Sequence, residues 1–383
     1  MPAPRSEAYV TPGLLRWARE RADLTVDAVA KKLGTKSENV ALWEDGKKKP
    51  TFAQAQTFAD ATNVPFGYLY LERPPVERLP IPDLRTVGSV ELRKLSVNLR
   101  DVVRDAIGKQ EWLIEHLRAN DEATALPFVG KFKPDSPVRD VVADMRRVLQ
   151  VGDDLKGNGD EFMRLIIRSA EKRRIVVLRA GVVGSNTRRK LDVKEFRGFS
   201  IVNKVAPLVF INSADAPTAR LFTLAHELAH LWVGQSGISD ASIKSSNKIE
   251  KACNAIAGEF LVPGAVFRGL WNKEADWEDE VRRLAPKFHV SKLVVARRAK
   301  DLGFISADDY QAFYEEELRN YKLKNAEKEG GDPYRTASAR NGVLISRLVL
   351  SEALSGRMLL RDASRMLGVK PSNLSVLAKK IEL

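Results

Sequence analysis

Residues 221–233 read Leu-Phe-Thr-Leu-Ala-His-Glu-Leu-Ala-His-Leu-Trp-Val, and the part able to do chemistry is His226-Glu227-Leu228-Ala229-His230. On a helix, side chains four residues apart lie one above the other on a single face. Two imidazoles so placed can reach one Zn²⁺ at roughly 2.0–2.1 Å. Glu227 follows the first His directly and points to one side of the pair. There it is placed to take a proton from a water at the ion instead of binding the ion. The chain has only four His, at 116, 226, 230 and 289, so two of them at this spacing around a Glu is a specific signal. The competing reading is a pair of satisfied core histidines. Two polar rings on an otherwise apolar helix need a partner, which favours the metal. Leu221, Phe222, Leu224, Leu228, Leu231 and Trp232 make this helix apolar on most sides, and a dry wall strengthens the pull of an ion on its water.

A catalytic zinc site takes three protein ligands and keeps one position open. Candidates for the third ligand lie in residues 247–263, Asn-Lys-Ile-Glu-Lys-Ala-Cys-Asn-Ala-Ile-Ala-Gly-Glu-Phe-Leu-Val-Pro. This stretch predicts a second helix with Ile249, Cys253, Ile256, Ala257 and Phe260 on its packed face, stopped by Pro263. Glu250 sits beside that face, one turn before Asn254, and is the favoured ligand. Glu259, nearer the far end, is its rival. Either could also be an ordinary solvated helix residue.

Together, His226–His230 and Glu250-x-x-Cys-Asn-x-Ile-Ala-x-Glu-Phe-Leu-Val-Pro resemble the ImmA/IrrE family of bacterial and phage zinc metallopeptidases. That family's pattern is HExxH followed by E-x-x-A-N-x-F-A-x-E-L-L-x-P; Cys253 and Ile256 replace the usual Ala and Phe. The resemblance covers residues 150–300. It implies Zn²⁺ held by His226, His230 and Glu250, with Glu227 as the catalytic base of a gluzincin-like metalloendopeptidase. It further implies a protein substrate that is a transcriptional repressor, whose cleavage switches on stress, prophage or mobile-element genes.

The elements that must position these residues are legible upstream and downstream. Helices are expected at 138–149 and 162–173, then a strand at 174–178, a polar loop at 181–191, and paired strands at 198–202 and 208–212. Pro207–Asn212 resembles the family's strand before the metal helix. In zincins the strand bordering the cleft pairs with extended substrate, so an edge strand is expected within 198–212. Further helices are expected at 276–285 and 291–303, with Ser291 as an N-cap. His289 is a candidate donor to the oxyanion of hydrolysis, or simply a loop His; Tyr310 and Tyr314 are comparable candidates.

The 383 residues predict two or three domains, and 44% hydrophobic with 30% charged residues is globular. A net charge of +13 suggests a polyanionic partner, most simply DNA. The single Cys253 excludes a disulfide framework within the chain. With no signal-like segment and no apolar run long enough to span a bilayer, the expected place is the cytoplasm, associated with the nucleoid and not a membrane.

Residues 11–72 read as short helices broken at Gly34 and Gly46. The string Leu-Thr…Ala-x-x-Leu-Gly…Val-Ala-Leu-Trp-Glu-Asp-Gly-Lys-Lys-Lys-Pro-Thr resembles Xre/Cro-type phage-repressor DNA-binding domains. In these the start of the third helix enters the major groove of an operator, usually as one half of a homodimer. The matching positions are Lys36, Ser37, Glu38 and Asn39, with Leu42 behind them. Asn can read adenine, Lys can reach guanine or phosphate, and Lys47, Lys48 and Lys49 suit phosphate contacts. Glu44 is expected to pair inside the domain.

The organisation expected is therefore an all-α helix-turn-helix domain at 1–73, a Pro-rich linker and long helix at 74–125, an α+β zincin-like metallopeptidase domain at 126–305, and a helical region at 306–383. The linker holds Asp83–Thr86, which resembles a short element of long family members, and the helix carries His116 as an ordinary surface residue. A charged linker, Lys324–Pro333, precedes the last helices. Residues 359–374 repeat the Leu-Gly rhythm of Ala30–Gly34, as a helical cap or a second helix-turn-helix. A rival function is a DNA-binding repressor, or the antitoxin of a cognate toxin, in which the zinc site only senses or stabilises.

Overall fold

The computed structural model describes residues 6–75, 95–152, 158–239, 248–325 and 333–381. These fall into two compact units, one of 6–75 with 95–101 and one of 102–381. Most of the Pro-rich linker, with Asp83–Thr86, lies outside the described residues, as does most of Lys324–Pro333.

The first unit is built from α1 (Pro12–Arg21), α2 (Val26–Leu33), α3 (Ser37–Glu44) and α4 (Phe52–Thr62), closed by a 3₁₀ turn at Phe66–Tyr70. Local chemistry sets these bounds. The Thr25 hydroxyl accepts the Ala28 N–H at 3.1 Å and opens α2. Gly34, at φ 63°, ends it in the left-handed conformation that costs other residues most. Thr51 and Gln54 form a capping box for α4. Leu15, Val29, Val40, Trp43, Phe58 and Leu69 form the core. The buried Glu44 carboxylate accepts two hydrogen bonds from Arg19, at 2.7 and 2.8 Å, and so pairs inside the domain.

The long helix expected within 74–125 is α5 (Val97–Ala119). After it come α6 (Val138–Leu149) and α7 (Gly159–Lys172), then β1 (Val176–Ala180), β2 (Val182–Val183), β3 (Asn186–Lys190), β4 (Gly198–Ile201) and β5 (Leu208–Asn212). Two expectations need correction here. Residues 181–191 are not a loop: β2 and β3 pair as an antiparallel hairpin with an irregular register. It lacks an apolar alternation because β3 is mostly solvent-exposed, so the usual strand signal is missing. Nor is either strand of 198–212 at an edge. The sheet order is β1-β5-β4-β6, with β6 at Gly237–Ser239 beyond the metal helix, so β4 and β5 are interior. β1 runs parallel to β5, while β4 is antiparallel to both β5 and β6. Burial along the whole length of β4 and β5 agrees with an interior place. A three-residue strand containing Gly carries too little pattern to be seen in the sequence.

The remaining helices are α8 (Pro217–Val233), α9 (Lys248–Leu261), α10 (Gly264–Leu270), α11 (Trp277–Lys287), α12 (Lys292–Asp301), α13 (Ala307–Asn325), α14 (Pro333–Asn341), α15 (Val343–Leu354), α16 (Leu360–Leu367) and α17 (Leu374–Lys380). α8 packs on α9, β4 and β5 and is the centre of the second unit's core. At its far end Trp232 stacks on Phe128 at 4.6 Å and donates its indole N–H to buried Asp144 at 3.0 Å. Gly234 ends α8 at φ 75°, where a Cβ would stand only 2.7 Å from the Gly130 backbone. The C-terminal helices join this unit: α14 packs on β1, and α15 on α7 and β1. Glu171 of α7 caps α15 by accepting the N–H groups of Val343 at 2.7 Å and Leu344 at 3.3 Å. Burial pushes its carboxyl up to about 7, against those two hydrogen bonds. The architecture is thus a helix-turn-helix region, an α+β region around one small mixed sheet, and a helical C-terminal part. No helix among the described residues is long and apolar enough to cross a membrane.

Candidate metal centre and basic helix-turn-helix face

α8 presents His226 and His230 on one face, and the packing of α9 brings Glu250 to them. The two Nε2 atoms are 3.1 Å apart. The Glu250 carboxylate lies 3.1 Å from His226 Nε2 through Oε2 and 3.3 Å from His230 Nε2 through Oε1. These three residues form the one candidate cation cluster among the described residues. Tetrahedral bonds of roughly 2.0–2.1 Å put neighbouring ligand atoms about 3.3 Å apart. The 3.1 Å between the two Nε2 atoms, with a carboxylate oxygen at 3.1–3.3 Å from each, is a spacing that a zinc-sized ion can bridge. Two imidazoles and one carboxylate are also the donor set zinc takes, with Mn²⁺ and Fe²⁺ less suited.

The surroundings hold that geometry. His230 Nδ1 lies 3.1 Å from the Gln235 carbonyl oxygen. A carbonyl only accepts, so Nδ1 carries a proton, and this contact holds the ring with Nε2 toward the cluster. Gly237 of β6 lies against the same ring: a Cβ there would be 3.3 Å from His230 Cε1. Both imidazoles are buried. Burial lowers the His226 pKa, and Arg297 of α12 lowers it further against the pull of Glu250. Around His230 burial is overcome by Cys253, Glu250 and Glu227, and its pKa is raised. For Glu250, burial would raise the pKa, but its hydrogen bonds to the two His hold it well below the usual carboxylate range.

Glu227 is fully buried beside this cluster. Its Oε1 lies over Gly198, where a Cβ would come within 2.9 Å of it and within 2.9 Å of the Phe210 carbonyl oxygen. Gly198 therefore makes room for the Glu227 carboxylate, a position that sequence reading missed. The available signal was an isolated Gly opening the strand Gly-Phe-Ser-Ile, which marks a close approach of backbone to something else.

The rival third ligand is engaged elsewhere. Glu259 pairs with Arg298, and its oxygens accept the Gly264 N–H at 3.1 and 3.2 Å, which clamps the end of α9 to α10 and α12. His289 is outside the cluster, in the turn before α12, at φ 54°. Tyr310 is buried, and Arg297 acts on the charge states of both Tyr310 and His226. The Tyr314 hydroxyl accepts a hydrogen bond from Arg197, the neighbour of Gly198. His116 stacks on Trp112 at 5.2 Å, as an ordinary helix-face residue.

In the first unit, Lys36 precedes α3 and is exposed, and the Ser37 hydroxyl donates to Asp27. The Asn39 amide is held from both ends: its Nδ2 donates to Thr35 Oγ1 at 3.1 Å, and its Oδ1 accepts from Lys48 Nζ at 2.9 Å. Lys47 lies 3.5 Å from Asp45, and Lys49 stands 3.7 Å above the Tyr9 ring. The structure thus brings Asn39 and Lys48 of the expected DNA contacts together.

Comparison with known protein families follows this division. The peptidase M78 model, described as an IrrE N-terminal-like domain, matches residues 170–300, and a helix-turn-helix model matches residues 15–69. The chain therefore carries an N-terminal Xre-type helix-turn-helix region ahead of a region similar to the IrrE-type peptidase domain, the arrangement of ImmA/IrrE fusions. A third model, of a domain of unknown function, matches residues 341–380. No curated protein matches the chain. The fusion joins a DNA-binding domain to a metallopeptidase-like domain, with the His226, His230 and Glu250 cluster inside the latter.

Proposed function

We propose that this ImmA/IrrE-type fusion is a DNA-tethered regulatory zinc endopeptidase whose substrate is a transcriptional repressor. The observation that carries this reading is the convergence of His226, His230 and Glu250 with buried Glu227 beside them, on the chain that also bears a helix-turn-helix. His226, His230 and Glu250 would hold the ion. When bound, zinc polarises a carbonyl and brings the pKa of a water from 15.7 to about 7.

The chain's own residues supply the rest. Gln235 fixes the His230 ring through its carbonyl, so the ligand does not have to reorganise. Glu227 takes the proton of the attacking water and returns it to the leaving amine nitrogen. Burial against Gly198 holds the carboxylate in place during that transfer. The exposed cations of the first unit, Lys36, Lys47, Lys48 and Lys49 with Ser37 and Asn39, hold the protein on an operator, as a homodimer on a two-fold site. Reading adenine through Asn39 requires Lys48 to release the Asn39 carbonyl. Tethering raises the effective concentration of the peptidase near a DNA-bound target. It also places the reaction in the compartment of the chromosome.

The test is to incubate the purified chain, with and without Zn²⁺, with the products of neighbouring genes. A zinc-dependent cut in an adjacent repressor, absent with Glu227→Gln, is the expected result. A stable, uncut complex with a small toxin, unchanged by Glu227→Gln, would instead establish the antitoxin reading.

A further inference from the structure

The C-terminal segment contains a second copy of the helix-turn-helix geometry, and the peptidase reading does not use it. α2 and α16 each span eight residues and end in Leu-Gly. Gly34 has φ 63° and ψ 34°; Gly368 has φ 62° and ψ 35°. After each glycine the next N–H folds back to the helix, Thr35 to the Ala30 carbonyl at 3.0 Å and Val369 to the Ser364 carbonyl at 3.2 Å. A left-handed glycine cap is common by itself. The decisive feature is the register that follows from it.

When Gly368 is laid on Gly34 without a gap, four buried positions coincide across the turn, while buried Ala30 and Leu367 fall opposite half-buried Ser364 and Leu33. Val29 and Ala363, Val40 and Leu374, Trp43 and Leu377, and Glu44 and Ala378 are all buried. Exposed positions coincide as well: Lys31 with Arg365, and Lys36 with Lys370. Asn39 meets Asn373 in the same alignment. The third element also agrees, since α17 packs on α15 as α3 packs on α1. In place of a third helix beginning at Ser37, the copy has a 3₁₀ turn at Pro371–Asn373 running into α17. Residues 343–381 hold seven Lys and Arg against two Asp and Glu. Arg361, Arg365 and Lys370 are exposed along α16 and the turn after it.

We infer that residues 343–381 are a second duplex-DNA contact, with Arg361, Arg365 and Lys370 on phosphates and the Pro371–Val376 stretch toward the groove. A cation-rich surface repeating the register of a DNA-binding unit takes a polyanion of the same shape. The chain then grips DNA through a unit at each end, with the metal centre on the second.

The test uses the full chain and a fluorescein-labelled duplex of about three helical turns. Affinity is measured against salt for the wild type, for Lys47→Gln/Lys48→Gln/Lys49→Gln, for Arg361→Gln/Arg365→Gln/Lys370→Gln, and for both sets together. Each lost phosphate contact flattens the slope of log K against log salt by about 0.9, so the C-terminal set should flatten it by up to about 2.7. The N-terminal set should leave measurable binding that the combined variant loses. Amide exchange in 360–380 of the wild type should slow when duplex is added. Unchanged affinity and slope in the C-terminal set, with no slowing of exchange in the wild type, would overturn the assignment. So would loss of self-association in that set with DNA binding intact, which would give the face to a second copy of the chain. If the substituted chain fails to fold, the exchange measurement on the wild type decides alone.

Discussion

In α8 the side chains that could do chemistry are sealed in: His226, Glu227 and His230 are 4%, 0% and 0% exposed. In and around α3 the ones that could read DNA stand in water, with Lys36, Lys47, Lys48 and Lys49 all exposed. The buried set is held by groups with no other role to play: a backbone carbonyl on His230, and glycine backbone against Glu227 and His230. The exposed set is held by exchangeable partners, Lys48 on Asn39 and Lys47 near Asp45. The difference fits what each site is proposed to bind. A small cation needs fixed ligands and a dry surround, because every interaction strengthens when water is excluded. A duplex brings its own charge and solvent, and its affinity comes from displaced counterions, so the protein's cations must stay accessible.

Substitution can break this contrast at several strengths. Glu227→Gln should reduce hydrolysis by about 10²–10⁴-fold, the size of a general acid–base contribution, while zinc content by elemental analysis stays near one ion per chain. A variant that still cuts at the wild-type rate would remove Glu227 from the chemistry. Glu250→Ala should weaken zinc binding by more than about 100-fold, since even groups that merely orient a ligand are worth 10–100-fold. Competition with a chelating dye measures this, and equal affinity would mean the ion sits elsewhere. In the same assay Glu259→Ala should leave zinc affinity intact and lower thermal stability, because it frees Arg298 and the end of α9.

On the exposed side, Lys47→Gln/Lys48→Gln/Lys49→Gln should flatten the salt slope of operator binding by up to about 2.7 and leave peptidase activity untouched. A matching loss of peptidase activity on free substrate would show the two sites to be coupled. The smallest effect is one of pH. Glu171 titrates at about 7 in the fold, above its usual 4.5. A carboxyl raised in this way favours the fold when protonated. Its contribution is complete below pH 4.5 and is lost as pH rises toward 7. Protection factors of α15 amides should therefore be higher at low pH than at high pH, and Glu171→Gln should level them. A pH-independent profile in the wild type would place the Glu171 proton elsewhere.

What the sequence determined is everything that depends on local period. His226 and His230 share a face because four residues make about one helical turn, and no partner is needed to establish it. Thr25, Gly34 and Thr51 cap their helices through neighbours three or four positions away, so the break at Gly34 was legible without any distant partner. The preference for Glu250 over Glu259 was weighed from one helix face and a resemblance. Only the packing of α9 on α8 brings Glu250 onto the paired rings and turns Glu259 toward Arg298. The place of β6 at the sheet edge, the pocket that Gly198 opens for Glu227, and the Gln235 carbonyl on His230 were likewise decided in three dimensions. Strand order and close backbone approach depend on which distant segments meet, and hydrophobic period records only which side of a segment is buried.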